Sequence, residues 1–193
     1  MNFTLSDIKD ATLIITSFST VLISILTIKK WKAEYKGKAY FDAAIKFKKT
    51  VYNLRDNFNS LRSGITTPDE MHPEHNPREE QKREHEAFVI NNRLKVFNEA
   101  LSEFYNIRPE MEAYFCEPAK EICQNINGII GLYRGAVNEY LQLIGNKNNF
   151  DHFASVRKQV YNSEQNDPMK DKMEKEVKNI ENLVEKYTHF KTN

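Results

Sequence analysis

Residues 11–28, ATLIITSFSTVLISILTI, carry no charged side chain, and the next ten, KKWKAEYKGK, carry five lysines. No other feature constrains the fold of this chain as strongly. Eighteen residues at about 1.5 Å each make a helix of roughly 27 Å, enough to cross the hydrocarbon core of a bilayer. The lysines beyond it would then lie among lipid headgroups. A cleaved signal peptide wants a basic n-region, a shorter apolar core and small residues at the cleavage site. Here Asp7, Lys9 and Asp10 precede the core, the core is long, and lysines follow at once. The pattern predicts an uncleaved N-terminal anchor over residues 1–30. The lysine excess keeps its C-terminal side in the cytoplasm, with the short N-terminus outside. The expected localisation is therefore membrane and single-pass, and the size and simplicity of the chain suggest a bacterial inner membrane.

The remaining 31–193 are long enough for one soluble domain. Six glycines and six prolines in 193 residues are few, and helix formers dominate. The expected fold class is all-α: one transmembrane helix continuing into a cytoplasmic up-and-down bundle with coiled-coil character. A 3-4 alternation supports the continuation, through Ala33, Gly37, Tyr40, Ala44, Phe47, Val51, Leu54, Phe58 and Leu61. One helix from about residue 6 to 62 follows, nearly 85 Å long by the same rise. The stretch 63–77 holds three prolines and no apolar period, so it reads as a membrane-distal loop.

A second helix is expected over about 78–107, with its apolar stripe at Ala87, Ile90, Leu94, Phe97, Leu101 and Phe104. Two prolines, Pro109 and Pro118, call for a break around 106–118. A third helix over about 119–144 presents Ile122, Ile126, Ile129, Tyr133, Val137, Tyr140 and Ile144. A short piece over 150–162 buries Phe150, Phe153, Val156 and Val160. Asp167-Pro168 forms a cap and first-turn pair for a last helix to about residue 190.

Three groups of residues are candidates for function. In the anchor, Thr12, Thr16, Ser17, Ser19, Thr20, Ser24 and Thr27 fall within one arc of about 160° at 100° per residue. Small hydroxyl residues mark helix–helix contacts in membranes, although they also bond their own backbone. Thr12, Thr16, Ser19, Thr20, Ser24 and Thr27 are taken as an association face. The second group is the flank Lys29, Lys30, Trp31, Lys32, Tyr35, Lys36 and Lys38, suited to anionic headgroups and to an interfacial aromatic belt. Residues 29–62 together carry ten basic and three acidic groups, whereas 63–86 carry three basic and seven acidic. The third group, Asp69, Glu70, His72, Glu74 and His75, lies in the acidic loop and suits contact with a protein partner.

No metal site is expected, because the loop histidines lack a cysteine or an ExxH partner. No cofactor or small-molecule substrate is expected either, since the chain has no glycine-rich phosphate loop or nucleophile elbow. Gly128 and Gly131 lie in an apolar run and are read as close-packing positions. A basic helix can track nucleic-acid phosphates, but one lying against a bilayer is badly placed for it, so no nucleic-acid partner is expected. Cys116 and Cys123, seven apart, share one face if the helix is continuous, and read as small buried thiols. Met111, Tyr114 and Phe115 either dip into headgroups or seal the end of the bundle. Arg78 and His85 resemble the Arg-x4–6-His pattern of helical HEPN-type ribonucleases. The likeness covers these two residues and would imply a tethered ribonuclease.

These readings converge on a membrane-anchored helical scaffold or accessory protein. It would act by oligomerisation and by contact with a cytoplasmic or membrane protein. The alternative is a membrane-perturbing effector whose assembled span permeabilises the bilayer.

Overall fold

The first proline in the chain is Pro68, and Gly37 is the only glycine before Gly64. Nothing before that point removes a backbone donor from a helical ladder. In the computed structural model, which describes residues 5–65, 82–144, 150–161 and 167–188, this region is one helix, α1 (Leu5–Leu61). Three further helices follow: α2 (Lys82–Leu143), α3 (Phe150–Val160) and α4 (Pro168–Thr188). Nearly all of the described residues are helical, and none of them forms a strand. The chain divides into two compact units, Met1–Asp42 and Ala43–Asn193, with α1 contributing to both.

Within the first unit the apolar stretch of α1 stays uncovered among the described residues. Leu13, Ile14, Ile15, Phe18, Val21 and Leu22 are all more than half exposed. This stretch is long and apolar enough to cross a membrane.

The second unit is a helical bundle. Ala44, Phe47, Val51, Leu54, Phe58 and Leu61, spaced three and four apart, are buried along α1. They meet α2, which contributes Phe97, Leu101, Phe104 and Met111 before its kink and Ile122, Ile126, Ile129, Tyr133, Val137 and Tyr140 after it. The Phe58 ring lies 5.9 Å from Phe97 and 5.5 Å, edge-on, from Tyr133. α3 adds Val156 and Val160, and Phe153 stacks on Tyr140 at 5.4 Å. α4 closes the core with Met169, Met173, Val177, Ile180 and Val184. Each such aliphatic or aromatic side chain contributes about 1.5–3 kcal/mol by leaving water.

The break expected around 106–118 falls at one residue, Cys116, whose φ of 55° and ψ of −143° interrupt α2. Pro118, two residues on, enters the first turn of the second arm, where an N–H would lack a partner anyway. Pro109 sits inside the first arm without ending it. The helix is therefore not continuous across the two cysteines. Cys116 is exposed at the break, contrary to the reading of a buried thiol, whereas Cys123 is buried. Burial pushes the Cys123 thiol up to about 11.

Met111 and Phe115 belong to the bundle's own core. Phe115 lies 6.3 Å from Phe47 and 5.3 Å from Tyr187, which favours sealing over headgroup contact. The expectation for glycine is corrected as well. Gly128, Gly131 and Gly135 are exposed, and a Cβ added at any of them would meet nothing within 4 Å. They are not there for close packing within this chain.

Candidate functional site

The apolar stretch and its lysine flank form the first site. From Thr12 onward every side chain through Lys38 is exposed. The hydroxyls of the expected association face donate to their own helix. Thr16 Oγ1 donates to the Thr12 carbonyl at 2.9 Å, Ser19 Oγ to Ile15, Thr20 Oγ1 to Thr16 and Ser24 Oγ to Thr20, each at 2.8 Å. A hydroxyl hydrogen engaged one turn back is not offered to a neighbour. The oxygen keeps an acceptor lone pair, and the surface stays shallow. Thr12 and Thr27 are exposed on the same helix.

In the flank, Lys30 Nζ reaches Glu34 Oε1 at 3.9 Å, with both side chains largely exposed, a pair worth at most about 0.5 kcal/mol. Trp31 and Tyr35 stack with centroids 5.8 Å apart. The Lys36 ammonium lies 5.8 Å from the centroid of the Tyr40 ring. Lys29, Lys32 and Lys38 meet no acidic side chain among the described residues. A run of five lysines with one weak ion pair leaves most of its charge to be neutralised by the surroundings.

The second site was not expected: a buried polar junction in the bundle. Arg62, the residue after α1, is 1% exposed. Its Nη1 lies 2.7 Å from Asp167 Oδ2, and its Nη2 donates to Asp167 Oδ1 at 3.0 Å and to the Gln159 carbonyl at 3.2 Å. Asp167 also caps α4, its Oδ1 accepting from the N–H groups of Met169 at 3.0 Å and Lys170 at 3.3 Å. One carboxylate thus ends a helix and neutralises a guanidinium. Arg93, buried on α2, donates to the Ser63 carbonyl and, at 2.6 Å, to that of Ile65.

Between these arginines lies Tyr133, fully buried, with no hydrogen-bond partner for its hydroxyl among the described residues. Desolvation drives its ionisation far upward, against a smaller opposing pull from Arg62 and Arg93. Burial likewise holds Tyr140 up, at about 12, and raises Tyr161, whose hydroxyl donates to Glu86.

The sequence did hold a signal for the junction. Asp167 was legible as a cap, and Arg62 directly follows the last apolar position of its stripe. Nothing in the spacing pairs residues 105 positions apart, however.

The loop residues Asp69, Glu70, His72, Glu74 and His75 lie outside the described residues, as does Arg78. His85 is half-buried in the first turns of α2. Among the described residues no group of three or more His, Cys, Asp or Glu side chains is placed to hold a metal ion. Comparison of the chain with protein-family models, with curated proteins and with solved structures finds no match.

Proposed function

We propose that the protein is a single-pass, membrane-anchored helical scaffold. The α1 stretch before Lys29 crosses the bilayer, the lysine flank contacts an anionic leaflet, and the bundle lies in the cytoplasm, of a bacterial inner membrane. It works by self-association and by receiving a protein partner, the span and the basal part of α1 pairing between copies through coiled-coil packing. The observation that carries this reading is an apolar window in α1 with none of its residues buried, followed at once by lysines. The ten large apolar side chains exposed between Leu13 and Ile28 have no favourable place in water. The hydroxyl arc supports association by close approach, since its donors are already engaged.

Crosslinking the full-length chain in native membranes, followed by identification of the species formed, tests the proposal. Homo-oligomers and one reproducible partner are expected. A chain that stays monomeric and captures nothing contradicts it.

The hydroxyl arc also favours a second reading, in which assembled spans open a leak. Producing residues 1–40 in cells and recording membrane potential separates the two. A preserved potential supports the scaffold, and depolarisation supports the effector.

A further inference from the structure

The flank of α1 is not one uniform basic belt. At 100° per residue, counted from Lys29, the apolar residues Ile14, Ile15, Phe18, Val21, Leu22, Ile25 and Leu26 fill an arc of roughly 140°. Lys29, Lys32 and Lys36 fall inside that same arc. The hydroxyl residues occupy the opposite arc together with Leu13 and Ile23, and Lys30, Trp31, Glu34, Tyr35 and Lys38 fall inside that one. The contacts follow this division in part, since Lys38 on the hydroxyl side meets no acidic group among the described residues either. On the hydroxyl side sit the Lys30–Glu34 ion pair and the Trp31–Tyr35 stack, so charge and ring surface are partly satisfied within the helix. On the apolar side Lys29 and Lys32 meet no acidic group among the described residues, and Lys36 has a tyrosine ring alone.

From this juxtaposition we infer that Lys29, Lys32 and Lys36 form a site for the phosphates of anionic lipid headgroups, while Lys30 and Lys38 belong to the protein-facing side. The inference rests on the reading of α1 as a membrane span. A helix in a bilayer turns its apolar arc to lipid tails and its small polar arc to other helices. The headgroups stacked above those tails are then met by whatever continues the apolar arc. Three ammonium groups spaced three and four residues apart can each extend along their stems to a phosphate layer. The lipid is recognised by charge and depth, so any anionic phospholipid serves.

The sole tryptophan makes this measurable. Moving it to the lipid side with Trp31→Phe and Ala33→Trp gives a full-length reporter for vesicles of mixed zwitterionic and anionic phospholipid. One lipid class at a time is brominated, and the ratio of quenching by the two classes reads the headgroup preference beside the helix. We expect anionic lipid to be favoured about threefold or more at low salt. The triple variant K29Q/K32Q/K36Q should bring the ratio to near unity, while K29R/K32R/K36R and K30Q/K38Q should keep it. Equal quenching by both classes in the reporter chain overturns the inference, as does K30Q/K38Q abolishing the preference as fully as the triple change. Absence of quenching by either class is a different failure, because it removes the membrane span itself.

Discussion

Two stretches of the same helix hold the same kinds of side chain and meet opposite fates. Phe18 is 72% exposed, whereas Phe47 and Phe58, a few turns later on α1, are 0% exposed. Between Ala43 and Leu61 the apolar residues follow a stripe, and other helices of the bundle cover it. Between Leu13 and Ile28 they crowd the helix without a charged residue among them, and none of the described residues covers them. An amphipathic pattern asks for a protein partner, and a nearly continuous apolar one asks for a medium. The contrast places the change from uncovered to covered apolar surface after the lysine-rich turns between the two stretches.

The largest expected effect comes from charging the uncovered part. Leu22→Lys with Ile25→Lys places two ammonium groups in the apolar arc, at a cost of about 5–7 kcal/mol of insertion free energy. The double variant should leave the membrane fraction while the thermal unfolding of the bundle stays unchanged. If the bundle melts earlier, the two stretches are energetically coupled and the contrast is weaker than the burial pattern suggests.

Next comes the junction in the covered part. Arg62→Met strands a buried carboxylate at the α4 cap and should destabilise the bundle by about 3–5 kcal/mol, measured by denaturant unfolding in detergent. Its membrane association should not change. A loss below about 1 kcal/mol would mean that the ion pair merely balances its own desolvation in place, with Asp167 readily reaching water.

The smallest effect concerns the exposed glycines of α2. Alanine at Gly128, Gly131 or Gly135 meets open space and should stabilise the bundle by about 0.5–1 kcal/mol each. A neutral or destabilising result would show that another surface approaches that face.

Much of this was legible from residue patterns. The extent of α1, the stop before Gly145, the Asp167-Pro168 helix start and the core stripes of α2 and α4 all follow from period and capping chemistry. These are local signals, set within a few turns. The break in α2 was placed correctly but coarsely, because two prolines flag a region while a single residue, Cys116, takes the non-helical conformation. The sequence pattern misjudged what depends on tertiary neighbours. Gly128 and Gly131 sit in an apolar run but on its outer face, and Cys116 is turned outward by the break itself. The Arg62–Asp167 pair was invisible for the same reason, since burial of a charge is decided by elements far apart in the chain. Of the candidate sites, the apolar stretch and its lysines could be read from composition alone. The proposed division into two faces rests on helical geometry and on the Lys30–Glu34 and Trp31–Tyr35 contacts.

The most direct measurement is protease protection of the full-length chain in intact cells, paired with high-speed sedimentation of the lysate. A chain that sediments with membranes, resists alkaline carbonate and keeps residues 43–193 intact against external protease is the predicted result. A chain that remains in the supernatant, or loses its bundle to protease added outside, contradicts the assignment of α1 as a span with the lysine side inward.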